Sequence, residues 1–143
     1  MYHIEKSLSI AQSLFPKIYN TARNRNYHFC CVFRRNKLLG IGLNEMGTES
    51  ARVLKFKRRF KTNQEFLYMH AELDAVSRLW GRTHIDGDLL FVVLRMNRHR
   101  LIGDSKPCSF CESVLDSLGI NKVYWSNKGG SFSSKKNENI YHI

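Results

Sequence analysis

His70 and Glu72 stand two positions apart in "YMHAELDAV", and Cys108 and Cys111 stand three apart in "PCSFC". Positions i and i+2 of a regular helix point about 200° apart, so His70 and Glu72 share no helix face. They can work together only at a helix tip that looks into a cleft. Cys108 and Cys111, at i and i+3 across the first turn of another helix, can bring their sulfurs to one point. A helix N-terminus also favours thiolates. One imidazole and two thiolates make three ligands for zinc and leave its fourth tetrahedral position open, the arrangement of a catalytic site. Water held there has its pKa drawn toward neutrality. Glu72, close to a ligand without being one, is then suited to carry that water's proton.

These side chains need two helices that start at the same end of a sheet. Ile4, Leu8, Ala11, Leu14, Phe15 and Ile18 recur at steps of three and four, which predicts a first helix ending near Asn20, bent or divided at Pro16. "YHFCCVF", "RRNK" and "LLGIGLN" read as a β-hairpin, with Cys30 and Cys31 as small buried residues of its first strand. From Glu45 to Tyr68 no clear period is present. A helix opens at His70, with Leu73, Val76, Leu79 and Trp80 apolar and Gly81 closing it. "DLLFVVL", Asp88 to Leu94, is continuously apolar, as expected of a central strand covered on both faces. "SFCESVLDSLGI" is the next helix, ended by Gly119, and "KVYW" the next strand. "SNKGGSFSS" turns into a short antiparallel strand, and the polar end from about 135 to 143 is expected to fray. The order β-α-β-α-β predicts a three-layer α/β/α fold around a mixed sheet of about five strands, with the zinc site at helix N-termini.

A chain of 143 residues is most simply one domain, and 43% hydrophobic residues are enough to build a core. No apolar run approaches the roughly 18 residues that cross a bilayer, and "MYHIEKSLSI" has no signal-peptide pattern. The expectation is a soluble intracellular protein, in the cytoplasm, with no membrane partner. Four cysteines in two close pairs suit metal binding better than a disulfide scaffold. The formal charge of +11 predicts attraction to phosphate groups.

"HAE" followed about 35 residues later by "PCSFC" resembles the zinc-dependent cytidine and deoxycytidylate deaminase superfamily, whose signature is H-x-E with P-C-x-x-C. The resemblance runs from about Tyr27 to Ser126, and the order of elements agrees with that family's. It implies hydrolytic removal of an exocyclic amine from a nucleobase, most simply cytosine to uracil in a nucleoside or nucleotide. It places His70, Cys108 and Cys111 on zinc, Glu72 as proton shuttle, and Asn44 and the backbone of Ala71 against the substrate. It also makes a homo-oligomer plausible. The chain departs from the family by inserting "RMNRHRLIGDSKPC" before the cysteines, which crowds Arg95, Arg98, Arg100 and Lys106 on the approach to the metal.

Two rival readings remain open. Arg52 to Lys61 carries six basic residues, interleaved with Phe56 and Phe60 and followed by Phe66 and Tyr68. Basic groups with aromatics suit single-stranded nucleic acid, so the substrate could be a base in single-stranded DNA or a transfer-RNA loop. Lys57, Arg58, Arg59, Arg98 and Lys106 are the candidate phosphate contacts. The other rival is a catalytically inactive, zinc-stabilised nucleic-acid-binding domain. His28, His84, His99 and His142 have no ligand spacing to the cysteines and read as solvated side chains, and Asp86-Gly87-Asp88 as a turn.

Overall fold

The computed structural model of the chain describes residues 1–19, 26–44 and 70–143. The basic and aromatic run with Lys57, Arg58 and Arg59 lies outside them. The described elements are helices α1 (Tyr2–Tyr19), α2 (Ala71–Leu79) and α3 (Ser109–Ser117) and strands β1 (Asn26–Arg34), β2 (Lys37–Leu43), β3 (Leu89–Asn97), β4 (Ile102–Gly103), β5 (Lys122–Ser126), β6 (Ser131–Ser134) and β7 (Tyr141–His142).

The strands form one mixed sheet in the order β2-β1-β3-β5-β6-β7, with β4 paired to β3. β3 and β5 are parallel, as a crossover through α3 requires. The other pairings are antiparallel, including β6 on β5, as the "NKGG" turn predicts. Five strands were expected; the two additional ones, β4 and β7, have two residues each.

Strand alternation divides the core into two layers. Tyr27, Phe29, Cys31 and Phe33 of β1 and Leu90, Val92, Leu94 and Met96 of β3 pack with Ile4, Ala11 and Phe15 of α1. Cys30 and Val32 of β1 and Leu89, Phe91 and Val93 of β3 point the other way, onto α2 and α3. Every second side chain therefore feeds a different layer, which is why β3 reads as an unbroken apolar run. Both neighbouring cysteines are buried and free, and burial pushes their thiols up, Cys31 to about 11.

α1 is a single helix with Pro16 inside it, and it runs to Tyr19, next to the expected end at Asn20. β3 runs on past Leu94 to Asn97 and returns as β4, because Met96 continues the alternation and Asn97 Oδ1 accepts the N–H groups of His99 and Leu101 to make a tight turn. The polar end carries a short strand: β7 pairs with β6, and the Ile143 N–H reaches the Gly130 carbonyl.

Candidate metal centre and its pocket

α2 and α3 pack in the same layer, and both begin near the carboxyl end of β3, where open α/β sheets place ligands. His70 is the N-cap of α2 and Cys108 the N-cap of α3. The His70 side chain makes no capping bond. Its Nδ1 lies 3.2 Å from Cys111 Sγ and 3.6 Å from Cys108 Sγ, and the two sulfurs are 3.2 Å apart. These three donors lie close enough together to hold a metal ion, and the sulfurs are too far apart for a disulfide.

The α2 tip is held by its strand neighbour. A Cβ on Gly42 of β2 would stand 2.1 Å from the Ala71 carbonyl oxygen and 2.5 Å from the Ala75 nitrogen, so only glycine lets β2 approach the helix backbone this closely. One carboxylate oxygen of Asp74, a residue 1% exposed, accepts the Leu43 N–H at 2.9 Å and the Arg78 Nε–H at 2.8 Å. That bond fixes the end of β2 just before Asn44.

The α3 tip is held from upstream. Ser105 Oγ lies 2.7 Å from the Val93 carbonyl and accepts the Ser126 N–H, while Ser126 Oγ lies 2.8 Å from the Gly103 carbonyl and accepts the Arg95 N–H. This serine pair stitches the segment before the cysteines to β3 and β5.

A cavity of about 160 Å³ opens beside two of the three donors, lined by His28, Asn44, His70, Ala71, Glu72, Asp104, Ser105, Lys106 and Cys108. Glu72, Asn44, Ala71 and Lys106 from the sequence analysis thus meet around it. Arg98 does not line it: it is exposed in the turn after β3, with Nε 3.3 Å from His99 Nε2. The Asn44 side chain is oriented by the His28 N–H, which donates to its Oδ1 at 2.9 Å.

His28 is the residue that sequence reasoning missed. It is half-buried rather than solvated, and burial, helped by the nearby Arg95 and His70 charges, lowers its pKa to about 4, so the ring is neutral. The signal was present in the alternation, since His28 shares the face of Cys30 and Val32, the face that carries the site.

Burial also pushes the Glu72 carboxyl up, against its own backbone N–H and the His70 charge. The cysteines divide in opposite directions. The Cys111 side chain, His70 and the Cys111 N–H bring the Cys108 thiol down to about 4, while the Cys108 sulfur and burial push Cys111 up.

No protein-family model and no curated protein matches the sequence. Solved structures match in fold. A cytidine deaminase from Burkholderia pseudomallei is 17% identical with a TM-score of 0.53, over 87% of this chain and 83% of that one. A cytidine deaminase from Mycobacterium leprae is 17% identical with a TM-score of 0.52, over 91% of each chain. A dCMP deaminase from the cyanophage S-TIM5 is 17% identical with a TM-score of 0.51, over 86% of this chain and 81% of that one. The chain thus has the cytidine-deaminase-like α/β fold, with a His-Cys-Cys group at its helix tips. No described helix is long and apolar enough to cross a membrane.

Proposed function

We propose that the protein is a zinc-dependent hydrolase that removes the exocyclic amine of a nucleobase, most simply cytosine in a nucleoside or nucleotide. The observation that carries this reading is that the His70-Cys108-Cys111 donor group borders, through His70 and Cys108, the cavity that Glu72 also lines. Two sulfurs at 2.3 Å from a tetrahedral zinc stand about 3.8 Å apart, and a sulfur and a nitrogen about 3.6 Å. The separation of 3.6 Å from His70 Nδ1 to Cys108 Sγ matches that set, while those of 3.2 Å from Nδ1 to Cys111 Sγ and 3.2 Å between the sulfurs are shorter by about 0.4 and 0.6 Å. The donor chemistry fits as well, since thiolate and imidazole are zinc ligands.

His70, Cys108 and Cys111 would hold the ion, and bound zinc supplies the Lewis acidity that makes water nucleophilic near neutral pH. Glu72, 4% exposed and with its pKa raised, takes the proton of the attacking water. It passes that proton to the ring nitrogen, and a further one to the departing amine, which leaves as ammonia. The narrow cavity takes the base edge-on and excludes bulk water. Asn44, fixed by the His28 N–H, contacts the substrate at the cavity wall, and the Ala71 backbone borders the ring.

Glu72→Gln keeps the shape and the metal but removes the shuttle. Zinc content is expected to remain at parent level while ammonia release falls about 100-fold or more. Mass spectrometry for a one-unit gain across cytosine, adenine and guanine nucleosides, nucleotides and oligonucleotides reads the base. Undiminished turnover by the variant would refute the assignment of Glu72.

A further inference from the structure

β1 brings one more polar side chain to the pocket than the proposed reaction uses. His28, Cys30 and Val32 alternate onto the sheet face that carries α2 and α3. Cys30 is fully buried beside Glu72: burial, and then the carboxylate's charge, push its thiol up. β1 is antiparallel to β3, so it starts at the end of the sheet where α2 and α3 begin. His28 therefore stands two residues, about 6.6 Å, further toward that end than the residue beside Glu72.

The His28 backbone is fixed twice by one neighbour. Its N–H donates to Asn44 Oδ1 at 2.9 Å, and its carbonyl accepts the Asn44 N–H at 3.3 Å. The ring is left over. It lines the cavity, is half-buried, and among the described residues has no hydrogen-bond partner. A polar group taken from water without a partner costs about 1 kcal/mol or more, so an apolar side chain would fill this place on the sheet more cheaply. Burial and the charge of Arg95, directly opposite in the β1–β3 register, keep the ring neutral, with one N–H donor and one bare nitrogen.

We infer that the His28 ring binds a sugar hydroxyl of the substrate and is a specificity-determining residue of the pocket. The inference rests on the deaminase reading for the orientation of the base. The amine-bearing carbon of cytosine must face Glu72 and the metal ligands. The ring nitrogen that carries the sugar lies across the ring from that carbon, so the sugar leaves away from the ligands, toward the start of β1. A hydroxyl both donates and accepts, as a neutral imidazole does, whereas a base carbonyl only accepts. A histidine at this place is no part of the H-x-E and P-C-x-x-C signature; it is this chain's own.

The test is equilibrium titration of the zinc-loaded Glu72→Gln protein with cytidine, 2′-deoxycytidine and 3′-deoxycytidine, repeated with His28→Phe added and with zinc content measured alongside. With His28 present, removing the contacted hydroxyl is expected to weaken binding about five- to tenfold, the worth of one hydrogen bond. In the His28→Phe background cytidine should bind about as weakly as that analogue did, and the two should agree within about twofold. His28→Gln, which keeps a donor and an acceptor, should restore part of the gap. A gap at the 2′ or at the 3′ position that closes in this way identifies the hydroxyl. His28→Leu carries the same comparison where phenylalanine is too large to fold. Equal affinities for all three ligands with His28 present, a gap that survives its removal, or no measurable binding of any of them would overturn the assignment. A ring that merely packs would shift all three affinities alike. Ammonia release from cytidine by the protein with Glu72 intact separates the two readings: release without a hydroxyl effect refutes His28 alone, and a hydroxyl effect without release refutes deamination alone.

Discussion

α2 and α3 are each nine residues long and each present an N-cap metal-ligand candidate to the same cavity, yet they are held by different means. Seven residues of α2 are buried, against four of α3. α2 is therefore seated by its own body, packed on the glycines of β2. α3 has too little buried surface to fix its own tip, and the chain ahead of it is fixed instead by the Ser105–Ser126 hydroxyls. Burial is roughly non-directional, whereas hydrogen bonds aim a segment. The better-packed helix carries Ala71 and Glu72 to the cavity, while the stitched segment carries Asp104, Ser105 and Lys106 to its wall.

The sharpest way to break this contrast is Gly42→Ala. Its methyl would meet backbone atoms on both contacts, at 2.1 and 2.5 Å, so α2 or β2 must move as a unit. A loss of at least about 3 kcal/mol is expected, along with lost zinc affinity as His70 leaves the cysteines. On the stitched side Gly103→Ala meets only the Arg95 side chain, at 3.3 Å, and should cost about 1 kcal/mol or less. Urea melts of the two variants that agreed within error would show that α2 is not the rigidly seated helix.

His28 looks into the cavity from the sheet and belongs to neither helix. Its folded pKa of about 4 lies below the unfolded value near 6.5. As pH falls through this window the unfolded chain takes the proton first, so His28 withdraws stability, on the order of 3 kcal/mol across the whole window. Above about pH 6.5 the effect is absent. Chelator-treated protein should lose stability from pH 7 to 4.5 more steeply than His28→Gln. Parallel slopes would place His28 in solvent and leave the two helix tips as the sole walls of the cavity.

What could be read in the sequence follows the range of each interaction. The starts of α2 and α3 at His70 and Cys108 were legible because capping and i, i+3 spacing act within one turn, and so were their ends, where Gly81 and Gly119 take φ of +80° and +77°. The strands were legible through alternation, and the last antiparallel pairing through its glycine turn. β4 and β7, two residues each, are too short to have a period. Ser105 and Ser126, 21 positions apart, are ordinary loop and strand serines until β5 brings them together. Arg95 and Arg100, in the insertion, and Lys128, in a turn beyond β5, border one cavity only because the sheet order brings their segments to one end.

Ser126→Ala sharpens the comparison with a smaller effect than Gly42→Ala. It leaves the Arg95 N–H and the Gly103 carbonyl without the buried hydroxyl between them, at a cost of about 1–2 kcal/mol. If that hydroxyl aims the α3 tip, the loss is not confined to stability. Cys108 follows directly on the loosened segment, so zinc affinity should fall in the folded variant, while the contacts of Gly42 and Asp74 that seat α2 stay as they are. Ser113→Ala is the control: Ser113 Oγ donates to the Phe110 carbonyl on the exposed side of α3, so its loss should change stability by less than about 0.5 kcal/mol. Unchanged zinc affinity in Ser126→Ala would mean that the buried part of α3, around Phe110, Val114 and Leu115, is enough to place its tip, and the two helices would then be held alike.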